Sequence, residues 1–302
     1  MKQTSQLMDG SNLSPMPPDL NPKAKYRRVL FYKFMRNKTA LIGGILIILF
    51  IFITIFGSII APYDPYTQDI INKLQGPSSD HWFGTDNFGR DIFSRVIHGT
   101  SITLFIGFSS VILGATVGVL LGIISGYYGG RIDSIIMRLM DVLLAFPGIL
   151  LALAIVTILG GSTMNVVYAV AISSIPVFAR VVRGSTLSVK KLEYIDAMKA
   201  LGASDIRIIF KHIFPNITSP LIVQATLYIA TAILSASGLS FLGLGAQPPD
   251  PEWGAMLSDG RSYLYNAPHV ALFPGLAIVV VVLAFNMLGD GLRDAFDPKT
   301  KE

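Results

Sequence analysis

Residues 190–216 read K-K-L-E-Y-I-D-A-M-K-A-L-G-A-S-D-I-R-I-I-F-K-H-I-F-P-N and lie between two long apolar segments. The stretch contains many charged, helix-forming residues, and Gly202 stands where a helix C-cap belongs. Ser204 then suits the N-cap of a second helix, which should end near Pro215. The pattern predicts two short helices joined at a corner of small residues, Gly202 and Ala203. An ordered amphipathic hairpin beside a membrane indicates a place where another protein docks.

The first of these helices has an apolar residue at every third position. This spacing predicts one apolar helical face, formed by Leu192, Ile195, Met198 and Leu201.

The composition of the whole chain is that of a membrane protein. Its 302 residues are 52% hydrophobic and 14% charged, with a mean hydropathy of +0.58. A transmembrane helix needs about 20 mostly apolar residues. Six segments qualify, and they lack the alternation of barrel strands: 40–61, 102–126, 142–159, 162–179, 220–244 and 270–288. The predicted fold is all-α and polytopic, with six transmembrane helices.

The distribution of lysine and arginine predicts the orientation of these spans. Twenty of the 24 basic residues flank one side of the predicted spans, and this side includes both termini and residues 190–216. Because basic residues favour the cytoplasmic side, both termini and the hairpin are expected there. The net charge of +5 therefore reflects membrane topology, and no nucleic-acid partner is expected.

The chain is expected to have four parts. Residues 1–23 form a disordered cytoplasmic tail, and residues 24–100 hold the first span and a long outer loop. Within this second part, basic and aromatic residues at 24–38 predict an interfacial helix on the inner leaflet. Residues 101–290 form the transmembrane domain with its five further helices, and residues 291–302 form a cytoplasmic tail.

The second predicted span carries a glycine at every fourth position. Such residues share one stripe of a helix and allow another helix to approach closely. The stripe predicts packing against a span of this chain or of a partner subunit, through Gly114, Gly118, Gly122 and Gly126.

Several mechanisms lack their residues in this sequence. The six spans, as bounded above, contain no Asp, Glu, Lys, Arg or His, which argues against an ion-coupled transporter and an intramembrane protease. The chain has no cysteine, no metal-ligand spacing of its four histidines and no G-x-x-x-x-G-K-[ST] phosphate loop. It is therefore either a passive channel or scaffold, or a membrane subunit driven by a partner.

The hairpin resembles a family signature. Residues 196–198 (D-A-M), Gly202 and residues 214–215 (F-P) resemble the E-A-A-x3-G-x9-I-x-L-P coupling segment of permease subunits of bacterial ATP-binding-cassette (ABC) importers. Asp196 replaces Glu, Met198 replaces Ala, His212 stands at the Ile position and Phe214 replaces Leu. Residues 84–91, 241–253 and 289–299 are similar to the second, C-type permease of dipeptide, oligopeptide, glutathione and nickel importers.

The resemblance implies a type-1 ABC importer fold in the bacterial inner membrane, forming half of a translocation pathway. It also implies a second permease, two ATPase subunits and an extracytoplasmic peptide-binding protein as partners. The chain itself would be no enzyme and would hold no cofactor or metal, because ATP and Mg²⁺ bind to the ATPases. A nickel or metal-chelate importer of the same branch, and a passive channel or scaffold, remain alternatives.

Two sets of contact residues follow from this resemblance. The hairpin is expected to dock on an ATPase through Glu193, Tyr194, Asp196, Ala197, Gly202, Ala203 and Arg207. In the outer loop, Asp86, Arg90 and Asp91 are candidate contacts to the binding protein.

Overall fold

The computed structural model describes Tyr32 and residues 35–296. The predicted disordered tail at 1–23 lies outside this part of the chain, as do most residues of the predicted interfacial helix at 24–38. Of the predicted C-terminal tail, only residues 291–296 are described.

Within the described residues, regular secondary structure is helical, as predicted. The α-helices are α1 Lys38–Ile60, α2 Ile92–Tyr128, α3 Gly130–Leu144, α4 Gly148–Leu159, α5 Thr163–Lys190, α6 Glu193–Ala200, α7 Asp205–Ile208, α8 Phe214–Phe241, α9 Trp253–Gly260 and α10 His269–Phe296. A π-helical segment, Ile209–Ile213, joins α7 to α8, and short 3-10 turns occupy Ile70–Asn72 and Arg261–Tyr263.

Five long helices of the described chain can cross a membrane: α1, α2, α5, the continuous run Asp205–Phe241 and α10. The third predicted span, 142–159, is not one straight helix. It comprises the end of α3 and all of α4, which are bent by 87°. Pro147 lies at the break and is the N-cap of α4. Helix α3 cannot continue through Pro147, because proline has no backbone N–H to donate. The 12 residues of α4 extend about 18 Å, less than the hydrocarbon core of a bilayer.

The other helices are longer than the apolar runs that predicted them. Helix α2 begins at Ile92 instead of residue 102 and has 37 residues, so its length is about 55 Å. Helix α5 continues from the predicted end at 179 to Lys190, and α10 continues to Phe296. The hydropathy pattern marks only the lipid-embedded portion of a helix. The extended ends carry charges, including Arg95, Arg180 and Arg183.

The centre of the fold is the pair α2 and α5. The predicted glycine stripe of α2 lies against α5 along its length: a Cβ at Gly114 would meet Ser174, and one at Gly126 would meet Thr186. Helices α8 and α10 complete the core around this pair, and α1 packs on α10. A Cβ at Gly43 of α1 would lie 2.7 Å from the carbonyl oxygen of Ala284.

Helix α3 is held to α5 by its acidic residues. The Arg183 guanidinium donates hydrogen bonds of 2.5 and 2.6 Å to the two carboxylate oxygens of Asp133. Arg180 donates a 2.8 Å hydrogen bond to Asp141. The break at Pro147 is thus stabilised by ion pairs on the side of the membrane where α5 enters the hairpin.

Candidate functional site

The hairpin begins where α5 ends. Helix α5 terminates at Lys190, and the extended backbone of Leu192 turns the chain into α6. Glu193 and Asp196 occupy the first turn of α6 and Lys199 its last turn, an order that favours the helix dipole. Leu192 and Leu201, the first and last residues of the predicted apolar face, therefore lie just outside α6, as its N-cap and C-cap.

The corner of the hairpin is a Schellman motif centred on Gly202. This glycine has a φ of +79°, as expected for a residue that follows a helix C-cap. Its N–H donates to the carbonyl of Lys199 at 2.9 Å, and the N–H of Ala203 donates to the carbonyl of Met198 at 3.0 Å. These two bonds fix the direction in which the chain leaves α6.

The second helix of the hairpin does not end near Pro215, contrary to the prediction. Asp205–Phe241 is one helical run, in which the π-helical segment Ile209–Ile213 precedes α8. Pro215 follows this segment as the second residue of α8, where the hydrogen-bond pattern already departs from that of a regular α-helix. The hairpin therefore continues directly into a membrane-spanning helix.

The predicted apolar face of the first helix is only partly buried. Ile195 is fully buried, whereas Leu192 is 46% exposed and Leu201 is 82% exposed. At 3.6 residues per turn, a three-residue spacing rotates by about 60° at each step, so Leu192 and Leu201 lie on opposite sides. Ile195 packs instead with Ile208 and Ile213 in a cluster beneath the hairpin.

Most of the predicted docking residues are exposed. Six of the seven are exposed and Ala203 is half-buried. Three large apolar residues that were not assigned to docking are also exposed beside the corner: Leu201, Ile206 at 70% and Phe210 at 67%. Leu201 could have been found from the sequence, since it is an apolar residue directly beside Gly202.

Tyr194 is braced against the second arm of the hairpin. Asn216 donates hydrogen bonds to the Tyr194 hydroxyl at 3.3 Å and to the His212 carbonyl at 2.6 Å. The first of these bonds joins the start of α6 to the start of α8.

The three residues of the outer loop that were predicted to contact the binding protein are buried, unlike most of the docking residues. Asp86, Arg90 and Asp91 are 4%, 3% and 3% exposed. Arg90 donates a 2.7 Å hydrogen bond to Asp86, while Asp91 pairs with His81 at 2.9 Å and caps α2 through the Ser94 N–H. They hold the outer loop on α2, so this geometry does not support the predicted contact of these side chains with a binding protein.

A third buried acid, Glu252, is the N-cap of α9. Glu252 is fully buried and accepts a 2.9 Å hydrogen bond from the Ala255 N–H. Burial raises the pKa of this carboxyl, against the smaller opposing effect of the Gly254 and Ala255 amide groups and the Ser240 and Ser237 hydroxyls. No group of three or more His, Cys, Asp or Glu side chains suited to a metal ion occurs among the residues that the structure describes.

The sequence matches two known families. Residues 118–302 match the family described as binding-protein-dependent transport system inner membrane component. Residues 25–77 match the N-terminal transmembrane domain of oligopeptide transport permease C.

Curated relatives match nearly the whole chain. The dipeptide transport system permease protein DppC of Alkalihalophilus pseudofirmus is 50% identical over 98% of this chain and 97% of the relative. The glutathione transport system permease protein GsiD of Pectobacterium atrosepticum is 52% identical, with 91% of each chain covered.

A solved structure shares the fold. The MetNI methionine ABC transporter, in an inward-facing conformation, has a chain that superposes with a TM-score of 0.55 at 20% identity, covering 68% of this chain and 98% of that one. The likeness supports the type-1 importer fold. The chain belongs to the family of inner-membrane components of binding-protein-dependent transport systems, as a C-type permease subunit of an ABC importer.

Proposed function

We propose that this permease forms half of the translocation pathway for peptides, paired with a second permease of the same importer. Two ATPase subunits drive the pair, and an extracytoplasmic peptide-binding protein delivers the cargo. The peptide substrate is supported by the names of relatives that are 50% and 52% identical, a dipeptide permease and a glutathione permease.

The observation that carries this proposal is the hairpin itself. Close to Gly202 in the sequence, the hairpin exposes the charged residues Asp196 and Arg207 and the apolar residues Leu201 and Ile206, and Phe210 is exposed further along the second arm. Exposed apolar residues combined with charged ones are suited to fit a groove on a partner. The docking contact is assigned to residues 193–207, on the cytoplasmic side with both termini, in agreement with the distribution of basic residues.

The mechanism follows from how the hairpin joins the membrane helices. Helix α5 ends at Lys190, immediately before the hairpin, and the second arm runs without interruption into α8. When ATP binding closes the ATPases, movement of the docked corner is carried into α5 and α8, and the outer side of the pathway opens.

A bulky side chain at the corner tests the docking. Gly202→Trp is expected to abolish dipeptide uptake by the reconstituted importer and to release the ATPases, while the chain still inserts in the membrane. Gly160→Trp is the matched control, because Gly160 also has a positive φ, of +92°, and open space at its Cβ position, but it lies before α5, at the end opposite the hairpin. If the Gly202→Trp complex retained its ATPases and transported dipeptide at the wild-type rate, docking at this corner would be refuted.

Direct uptake tests the substrate. The reconstituted importer with its binding protein should take up labelled dipeptide, whereas a labelled nickel chelate should not be taken up. Uptake of the chelate without uptake of dipeptide would instead favour a metal-chelate importer.

A further inference from the structure

We propose that Tyr127, at the inner end of α2, is a positioning residue that transmits movement of the docking hairpin to α2 and thereby to the outer loop. The inference rests on the proposed docking of the hairpin on an ATPase. It adds a third membrane helix to the two that continue directly from the hairpin.

Tyr127 is clamped between the hairpin and the end of α5. Its hydroxyl donates a 2.6 Å hydrogen bond to the Asp205 carboxylate in the first turn of α7. The Lys190 ammonium donates a 2.5 Å hydrogen bond to the Tyr127 carbonyl oxygen. The same ammonium and that of Lys199 lie 5.7 and 5.6 Å from the centre of the Tyr127 ring, within the range of a cation–π interaction.

Few hydrogen bonds connect the side chains of the hairpin to other segments of the chain. In the part of the chain that the structure describes, side chains of residues 191–208 make two hydrogen bonds to other segments, Asp205 with Tyr127 and Tyr194 with Asn216. The second bond joins the hairpin to its own continuation, α8. The bond between Asp205 and Tyr127 is the one that reaches α2.

Tyr127 is also embedded in the apolar cluster beneath the hairpin. It is 4% exposed and packs in one cluster with Ile195, Ile208 and Val182. A displacement of α6 or α7 therefore cannot leave the Tyr127 ring in place without opening this packing.

Helix α2 is suited to carry such a displacement across the membrane. It has 37 residues without an internal proline, and its glycine stripe keeps it in close contact with α5. At its outer end, Asp91 caps the helix and Arg95 donates hydrogen bonds to the carbonyls of Pro65 at 2.9 Å and Pro249 at 3.3 Å. Helix α2 thus joins the docking hairpin to two segments: the outer loop, which contains Pro65, and the loop between α8 and α9, which contains Pro249.

Tyr127→Phe tests the inference, because it removes the hydroxyl and keeps the ring for packing and for the two lysines. In the complete importer reconstituted in liposomes, the variant should retain its ATPases, while the amount of peptide imported per ATP hydrolysed falls at least about fivefold, the low end of typical coupling between two sites. Stimulation of ATP hydrolysis by the binding protein should fall with it. Tyr128→Phe is the matched control, since Tyr128 is 49% exposed and its hydroxyl forms no hydrogen bond among the described residues.

Asp205 provides a second test that does not disturb the buried cluster, because its side chain is exposed. Asp205→Ala should reproduce the loss of coupling, and Asp205→Asn, which keeps an oxygen acceptor, should largely restore it. The double variant Tyr127→Phe with Asp205→Ala should be no worse than either single one.

Three results would overturn the inference: wild-type coupling in Asp205→Ala, wild-type coupling in Tyr127→Phe, or release of the ATPases by Tyr127→Phe. Release of the ATPases by Tyr127→Phe would mean that the bond between Tyr127 and Asp205 supports docking instead of transmitting movement. A wild-type complex that fails to bind ATPases would refute the proposed docking instead, so the two failures are distinguishable.

Discussion

Gly118 on α2 lies against Phe178 on α5, so that a Cβ at position 118 would stand 2.5 Å from the Cβ of Phe178 and 2.8 Å from the carbonyl oxygen of Ile175. Both neighbours belong to α5, and Phe178 is fully buried, so its side chain has no free space to move into. Even a methyl group at position 118 therefore requires α2 and α5 to separate.

We expect Gly118→Ala to lower the free energy of unfolding by about 1–3 kcal/mol through overpacking. Thermal unfolding of the purified chain in detergent measures the effect. Gly184→Ala is the matched control: Gly184 lies inside α5 with open space at its Cβ position, and there the same change should be neutral or stabilising. Equal melting temperatures for the two variants would contradict the close packing of α2 and α5.

The exposed apolar residues of the docking hairpin should contribute to ATPase binding. Leu201 and Phe210 are 82% and 67% exposed, so replacing them with serine removes little packing from the chain itself. If they fill the partner's groove, Leu201→Ser with Phe210→Ser should weaken ATPase binding at least about tenfold, as at interface hot spots.

Affinity of the purified permease pair for the ATPase provides this measurement. Ile71→Ser is the control, because Ile71 is 93% exposed in the outer loop. Undiminished binding by the double variant would exclude an apolar contribution from this side of the corner.

The corner of the hairpin could be predicted from the sequence because its determinants are local. A glycine with positive φ is required to end α6 in a Schellman motif, and Gly202 supplies it. Five of the membrane helices were recognisable for a similar reason, since each carries a long apolar run within a single segment.

Features that depend on distant partners were not predictable in this way. Nothing in the sequence near Asp86 and Arg90 shows that the outer loop folds over them, and their charges suggested a surface instead. The continuity of α7 and α8 past Pro215 depends on a π-helical segment, which has no simple sequence signature. The contact of Tyr127 with Asp205 joins residues 78 positions apart.

Reversal of the Arg90 charge should act on stability. The Arg90 and Asp86 side chains are 3% and 6% exposed, so Arg90→Glu places two carboxylates together in a site with little water. Loss of a buried ion pair costs about 3–5 kcal/mol, and we expect a corresponding loss of folded protein in detergent. Lys73→Glu, at an exposed position of the same loop, should have no such effect. If Arg90→Glu unfolded like the wild type but lost stimulation by the binding protein, Arg90 would be a contact residue after all.

Glu252 should make the stability of the permease depend on pH. Its pKa is raised by burial above the ordinary glutamate value of 4.5. Below that ordinary pKa the carboxyl is protonated in both the folded and the unfolded chain. As the pH rises above it, the unfolded chain ionises first while the folded chain keeps its proton, so stability falls until the pH passes the raised pKa.

Thermal unfolding in detergent from about pH 4 to pH 8, a range that brackets ordinary and raised carboxyl pKa values, should show this decline. Glu252→Gln should reduce its slope, because an amide does not titrate and can still accept from the Ala255 N–H. The decline should not vanish, since burial also raises the pKa of Asp259 on the same helix. Asp250→Asn, which removes an acid two positions away, is the control and should leave the contribution of Glu252 intact. An unchanged slope in Glu252→Gln would show that this carboxyl is ionised in the folded protein.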